Sequence, residues 1–359
     1  MRVGIIGAGQ LARMLALAAH PLNIQCHCMG VSKEDPAMLV SDVTIVAGND
    51  EKVIEEFAHT VDVITFENEN VDRGLASVLS ASSPLRPGID ALEMSQDRLV
   101  EKRGFAALDI PVAPFVAINS LDDLKVAATQ ELGFPCVLKT RRFGYDGKGQ
   151  YVIKSEDDIE KAFSLLGEHP LILEGFINFE CEVSIVAVRR KNGDTAFYPL
   201  TKNEHRDGIL RISTAPFVQD DLQTKAKACA ETLMTSIEYV GVLAIEFFVK
   251  DGELIVNEFA PRVHNSGHWT IEGAQTSQFE NHIRAVCDLP LGSTALVQPS
   301  MMINFIGHMP LREEVLAYPG AHFHDYQKSA REGRKLGHVT VCSDVGFDAY
   351  QKLIDLASE

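Results

Sequence analysis

A chain of 359 residues with 46% hydrophobic content is too long for one ordinary core and predicts a soluble protein of two or three domains. With 50 acidic against 33 basic side chains its formal charge is −17, which argues against nucleic acid as a partner; any phosphate site must gather its few basic residues locally. No apolar run reaches the roughly 18 residues of a membrane span, so no membrane partner is expected.

In chain order, "RVGIIGAG" is an apolar strand entering a glycine turn, and "QLARMLALAAH" has the helical period. After Pro21, "IQCHCMG" reads as a buried strand, with Cys26, His27 and Cys28 as core rather than metal ligands. The seven cysteines form no CxxC pair, and the N-terminus lacks a leader-like apolar core, so a reduced, cytoplasmic protein is expected. "VTIVAG", "DEKVIEEFAHT" and "VDVITFENENV" continue the strand–helix alternation, predicting an open, mostly parallel sheet with helices on both faces. Gly7, Gly9 and Ala12 fit the GxGxx(G/A) fingerprint, but the second strand ends in Met29-Gly30 without the acid that a nicotinamide cofactor requires. The turn reads instead as an anion site at a helix N-terminus, suited to a substrate phosphate or polar group.

The proline-rich "SSPLRPG" closes this first domain. Helical patterns follow from Leu92 to Phe105 and from Leu121 to Leu132, then "GFPCVLKT", a glycine-rich loop, and strands at "YVIK", "PLILEGFI" and "CEVSIVAVRR". A long helix over 219–239 precedes a hairpin at "LAIEFFVKDGELIVNEFA", and strand-rich sequence is expected from there to the C-terminus.

Three segments carry chemistry. In "GFPCVLKTRRFGYDGKGQ", Lys139 ends an apolar strand, and Gly144, Gly147 and Gly149 follow with Tyr145, Asp146 and Lys148 between them. Such a loop either cradles phosphate through its amides or is a mobile hairpin tip; it is not a Walker loop. In the hairpin, Glu246 and Glu258 share a face if the turn is Lys250-Asp251-Gly252, but not if it is Asp251-Gly252 alone. Two facing carboxylates call for a divalent cation, Mg²⁺ by ligand hardness, or for a basic partner. Between them, "LEGFINFECEVS" can offer backbone groups to an adenine edge, with Glu174 and Glu182 either at ribose hydroxyls or simply solvated.

Taken together, the lysine strand, glycine-rich lid, linker and paired acids resemble the ATP-grasp ligases. "GxGQLxRM", "GYDGKGQ", "FYPLTKNEHRDGILR", "NEFAPRVHNSGHW" and "GRKLGH" narrow the resemblance to the 5-(carboxyamino)imidazole ribonucleotide synthetases of purine biosynthesis, over nearly the whole chain. The resemblance implies an α/β and α+β architecture. An N-terminal Rossmann-like domain (1–96) precedes an ATP-grasp domain (97–294, lid 115–172) and a C-terminal β-rich region (295–359). It implies a homodimer formed through the N-terminal region, and carboxylation of 5-aminoimidazole ribonucleotide by bicarbonate through carboxyphosphate, with ATP and Mg²⁺.

Carried over residue by residue, the resemblance places Arg98 and Lys139 on the ATP phosphates beneath a lid of Gly144, Tyr145, Asp146, Gly147, Lys148, Gly149 and Gln150. Glu174, Gly175, Phe176 and Ile177 would hold the adenine edge, Glu182 the ribose, and His205 and Asn257 would lie near the nucleotide. Glu246 and Glu258 would hold Mg²⁺, with Glu258 also in the ATP site. Arg262, His264, Asn265 and Ser266 would face bicarbonate and the ribonucleotide, Arg262 as a fork donor for carboxyphosphate. Gln10, Leu11, Glu67 and Asn70 would line the same pocket, Tyr145 would reach it from the lid, and Lys328, Arg331, Arg334 and Lys335 would bind the ribose phosphate. The catalytic set is Asp146, at the reacting amine, with Arg262 and Lys335. Three positions depart from the family's usual residues: Phe143 and Ala12 replace glycines, and Ala260 stands where many ATP-grasp enzymes have an Asn ligand. The nearest alternative is a formate-dependent ribonucleotide transformylase of the same fold.

Overall fold

The computed structural model describes residues 1–46, 50–144 and 147–357. Strands β1 (Arg2–Ile6), β2 (Gln25–Gly30), β3 (Asp42–Ile45) and β4 (Val63–Phe66) form a parallel sheet in the order β3-β2-β1-β4. Parallel pairing requires crossovers. Helix α1 (Gln10–Ala19) joins β1 to β2, α2 (Glu51–His59) joins β3 to β4, and α3 (Arg73–Ser82) follows. Leu11, Leu15 and Ala19 of α1 bury one face of the sheet, while Phe57 of α2 and Leu79 of α3 cover the other.

Helix α1 has no side-chain cap of its own. The C-terminal ends of β1 and β4 are neighbours, so Glu67, just after β4, reaches the turn and accepts from the amides of Gly9 (2.6 Å) and Ala12 (2.9 Å). The anion at this helix N-terminus is therefore a carboxylate of the protein itself, which corrects the reading of the turn as a place for a substrate anion. A methyl group on Gly9 would sit 2.7 Å from Glu67 Oε1. Gly9→Ala is thus expected to dislodge the carboxylate and cost about 1–2 kcal/mol, a cap's worth, in chemical denaturation.

The helical pattern from Leu92 to Phe105 is two helices, α4 (Ile89–Gln96) and α5 (Arg98–Ala107), parted at Asp97. Asp97 caps α5 by accepting from the amides of Leu99 and Val100, and also takes both arms of Arg141 (2.9 and 2.7 Å). Extended backbone at Asp97 frees its carboxylate for these bonds. Strands β5 (Phe115–Ile118), β6 (Cys136–Thr140), β7 (Gln150–Ile153) and β8 (Leu171–Gly175) make a small antiparallel sheet in the order β5-β8-β6-β7. It is covered by α6 (Leu121–Val126), which runs on as a π-helix to Leu132, and by α7 (Ile159–Leu166).

The remaining strands are β9 (Cys181–Arg189), β10 (Thr195–Phe197), β11 (Thr201–Arg206), β12 (Ile209–Ala215), β13 (Gly241–Lys250), β14 (Glu253–Ala260), β15 (Ser300–Ile306), β16 (Ala321–Asp325) and β17 (Lys335–Cys342). They form one sheet, β14-β13-β9-β11-β12-β15-β17-β16, with β10 beside β9. Residues after 295 thus extend the sheet of the preceding domain: β15 pairs with β12. Helix α8 (Asp220–Ser236) packs on one face of β9 at Val183, Ile185 and Ala187. Val186 and Val188 point the other way, into a core shared with α1. Helices α9 (Thr270–Gly273) and α10 (Gln278–Val286) interrupt what the sequence suggested was strand-rich, as do short helices at Arg312–Leu316 and Gln351–Leu356. The amphipathic spacing of Phe279, Ile283 and Val286 and the Ser277 N-cap drive α10, whose apolar side completes the core under α1.

Candidate active site

The hairpin acids decide the site. The turn is the two-residue one, with Asp251 and Gly252 both left-handed, and pairing runs from Lys250↔Glu253 to Phe247↔Val256. Continued unbroken, that register would set Glu246 against Asn257 and send Glu258 to the other face. A β-bulge inserts Asn257 as an extra residue, and Glu246 instead faces Glu258. Neither turn considered from sequence produces this arrangement by itself.

The two carboxylates differ in state. Burial pushes Glu246 up to about 7, abetted by Glu258 and Glu182 and opposed by His205. Burial would raise Glu258 too, but Arg98, 2.9 Å away, holds it down at about 2. His205 pairs with Glu182 across the β9–β11 neighbourhood, and burial's downward pull on its pKa is outweighed by that carboxylate. Opposite Glu246, the Nε2 of His264 lies 3.3 Å from Oε1. The Nδ1 of His264 accepts from the amide of Ser266, which leaves the ring proton on Nε2, facing the carboxylate. Behind it runs a buried hydrogen-bonded chain. Ser213 donates to Asn203, Asn203 to Ser184, and Ser184 to Ser266, whose hydroxyl bonds His264 Nδ1. Burial first, then Arg262 and Lys335, push His264 down to about 3, so the ring is neutral at pH 7. Ser266 is fully buried and acts behind the cavity wall rather than on it.

Lys139, at the end of β6, meets Glu174 on β8 at 2.9 Å, and Lys102 stands 3.6 Å from the same oxygen. Glu174 is 2% exposed; burial would raise its pKa, but the two ammonium groups pull it down to about 2. It is neither solvated nor turned to a ribose, which corrects both readings of that residue: the β6–β8 pairing carries its side chain under the sheet to the lysines. The amide of Gly175 is taken by Pro114, and Phe176 beyond it is half exposed; Ile177 continues the linker between β8 and β9. In the lid, Gly147 and Gly149 have positive φ, and Gly147 abuts the carbonyl of Asp207 in the β11–β12 turn. Lys148 and Gln150 are exposed, Gly144 lies near Arg98, and Tyr145 and Asp146 lie outside the described residues. Phe143 is 71% exposed with φ 61°, a backbone conformation that glycine would adopt more readily, and its ring lies under the Arg142 guanidinium at 5.6 Å.

A cavity of about 790 Å³ unites these parts. Gln10, Leu11, Glu67 and Asn70 form its N-terminal wall, and Arg98, Gly144, Lys148 and Glu258 line it on the side of the glycine-rich loop. Arg262, His264 and Asn265 lie at the centre, and Lys328, Arg331, Arg334 and Lys335 close the far end. The basic end is crowded: burial and the neighbouring Arg334, Lys335 and Arg331 bring Lys328 down to about 8, while its ammonium donates to Gln10 (3.2 Å). Lys139, on the small sheet, lies outside this cavity's lining, and so do Glu182, His205 and Glu246, on the sheet that carries Glu258.

Sequence reasoning missed Glu69. Its carboxylate takes the fork of Arg262, from Nε (2.5 Å) and Nη2 (3.1 Å), while Nη1 donates to the Val263 carbonyl. The fork expected for carboxyphosphate is thus held by protein, leaving one N–H on each terminal nitrogen. The run "ENEN", whose Glu67 and Asn70 also face the cavity, was the available signal. Asn304, which exchanges two amide hydrogen bonds with Asn265 (3.0 and 2.6 Å), had no signal in its apolar strand. His268 and Tyr326 also line the cavity; His338 accepts or donates at Tyr326 Oη (2.7 Å) and packs against His268.

Three family models match: the ribonucleotide synthetase preATP-grasp domain over residues 1–96, the ATP-grasp domain over 103–279, and the phosphoribosylaminoimidazole carboxylase C-terminal domain over 300–351. The chain is 47% identical over 345 residues to the N5-carboxyaminoimidazole ribonucleotide synthase of Pseudomonas aeruginosa, covering 96% of this chain and 95% of that protein. The crystal structure of N5-carboxyaminoimidazole ribonucleotide synthetase from Thermus thermophilus superposes with a TM-score of 0.94 at 47% identity, covering 99% of both chains. That of N5-carboxyaminoimidazole synthase from Aspergillus clavatus, in complex with ADP and 5-aminoimidazole ribonucleotide, does so at 0.92 and 32% identity, covering 99% of this chain and 98% of that one.

Proposed function

Since the chain belongs to the N5-carboxyaminoimidazole ribonucleotide synthases, ATP-grasp ligases that carboxylate 5-aminoimidazole ribonucleotide in purine biosynthesis, we propose how its own residues divide that work. The observation that carries the assignment is a cavity with Glu258 at one end, Glu246 facing it from behind the wall, and four basic side chains at the other end.

ATP binds with its phosphates at Arg98 and Lys139 under the 144–150 lid, its adenine against the 175–177 linker, and its ribose near Glu182 and His205. Facing hard carboxylates suit Mg²⁺, and Glu246 in particular is charged at neutral pH only at a cost that a cation would remove. No group of three or more His, Cys, Asp or Glu side chains among the described residues could hold a metal, so two glutamates and phosphate oxygens are the fitting ligand set. When bound, Mg²⁺ neutralises phosphoryl charge. Arg98 does the same from the protein, while the neutral His264 orients Glu246 by its Nε2–H.

A bicarbonate oxygen attacks the γ-phosphorus, giving carboxyphosphate and ADP. Arg262, its plane fixed by Glu69, offers its two remaining N–H groups to that intermediate, beside Asn265. The ribonucleotide lies across the cavity. Its phosphate sits at Lys328, Arg331, Arg334 and Lys335, and its ring between Gln10, Leu11, Glu67 and Asn70. The exocyclic nitrogen takes the carboxyl carbon as the C–O bond to phosphate breaks, the amine's proton leaves with the departing phosphate, and the closed lid keeps water from the intermediate. We further propose a cytoplasmic homodimer joined through the N-terminal region. The exposed Val31, Leu39 and Ile45 around β3 support that face, and the seven free thiols suit a reducing compartment.

The test is ADP release from MgATP and bicarbonate, with and without 5-aminoimidazole ribonucleotide, using ¹⁸O-labelled bicarbonate. Strong stimulation by the ribonucleotide with one ¹⁸O carried into phosphate is expected. Stimulation without label transfer would remove carboxyphosphate from the scheme, and formate replacing bicarbonate would point to the transformylase instead.

A further inference from the structure

The bulge at Asn257 has an unusual support. On α5, one turn beyond Arg98, the adjacent residues Glu101 and Lys102 are 2% and 0% exposed. The Lys102 ammonium donates to the carbonyls of Val256 (3.1 Å) and Asn257 (2.8 Å), and Glu101 Oε1 accepts the amide of Phe259 (2.7 Å). A bulge takes backbone groups out of the strand ladder, and buried orphans of that kind are costly. Here two ionisable side chains bond backbone groups on both sides of the extra residue. The same ammonium is 3.6 Å from Glu174, which holds Lys139.

We propose that Glu101 and Lys102 are positioning residues for the metal-binding pair: they pin the bulge that turns Glu258 to the side of Glu246. Lys102 lies outside the cavity lining and Glu101 at its wall, and in this role both act through the β14 backbone. By bonding the β14 backbone and reaching Glu174 as well, Lys102 also references the acid pair and the phosphate lysine to one point on α5. This rests on the reading that Glu246 and Glu258 hold Mg²⁺. Its basis is the bonding pattern. Plain core support would need apolar contact or a mutual ion pair, not donors and an acceptor matched to residues 256, 257 and 259.

The experiment measures binding of a non-hydrolysable ATP analogue by calorimetry as a function of Mg²⁺ concentration, with melting temperature recorded for each variant. Lys102→Met and Glu101→Leu are expected to raise the half-saturating Mg²⁺ about tenfold or more, as loss of outer supports does at metal sites. Glu101→Gln keeps an oxygen for the Phe259 amide and is expected to stay near wild type. Should Lys102→Met fail to fold, the two Glu101 variants decide. Glu258→Gln is the control. If it raises the Mg²⁺ requirement while both Glu101 variants leave it unchanged, or if Glu101→Leu and Glu101→Gln shift it equally, the positioning inference is overturned. If Glu258→Gln leaves the requirement unchanged, the metal reading falls and takes this inference with it.

Discussion

Glu258→Gln is expected to lower kcat/KM for MgATP by about 10³-fold, close to 4 kcal/mol of transition-state stabilisation. Three separate functions meet in that carboxylate. It faces Glu246 across the strand pair, it holds Arg98 at 2.9 Å, and it lines the cavity beside the lid. The amide preserves size and one acceptor oxygen, so the fold should persist. What it removes is the negative charge that keeps Arg98 in place and that, on the proposed assignment, would bind a divalent cation. The loss should appear mainly in kcat if, as proposed, Arg98 and Mg²⁺ act most strongly on charge that develops at the γ-phosphoryl group. Steady-state ADP release checks this, with the melting temperature confirming a native fold. A loss under tenfold would mean that the metal and Arg98 are held by other groups.

Glu174→Leu should instead strike stability. Two ammonium groups, Lys139 and Lys102, share one carboxylate that is almost wholly buried. Removing it takes the carboxylate from Lys139 and leaves Lys102 only its bonds to the Val256 and Asn257 carbonyls, and breaking a buried pair in this way costs about 3–5 kcal/mol. A chain of this size should then melt roughly 4–7 °C lower. The pH dependence has a definite sign. The folded-state carboxyl titrates at about 2 against an ordinary 4.5, because the lysines outweigh the burial that would raise it. A depressed pKa stabilises the fold above the unfolded value, and this contribution, on the order of 3 kcal/mol, fades as pH falls from about 4.5 towards 2. Wild type and variant should therefore converge in stability across that acid window. Parallel curves from pH 7 to pH 3 would show that Glu174 is not the anion on which the lysines depend.

How much of this is readable without the fold depends on the range of each interaction. The βαβ opening, the lysine-ended β6, the glycine lid and the long α8 are written in periodicities of two and 3.6 and in short motifs. The helical run from Leu92 to Phe105 misleads because Asp97 fits inside a helix by period, and only its bonds to Arg141 and to the α5 amides reveal a break. The stretch after 260 reads as strands at first, although Ser277 and the spacing through Val286 carry a helix signal.

The sequence by itself determined the fold class, the family, the order of the chemical segments and many of the residues that line the cavity. These are properties of short windows and of their succession. The tertiary structure alone decided which of those residues meet. Glu67 caps α1 because parallel pairing sets β4 beside β1, and Glu69 takes the fork of Arg262 from 193 positions away. Glu246 faces Glu258 because one residue is extruded from β14, held there by a helix more than 150 residues earlier. A register shift of one residue reverses every side chain beyond it, and it costs too little in local propensity to leave a mark in the sequence. The bulge therefore depends on partners that only the folded chain brings into reach.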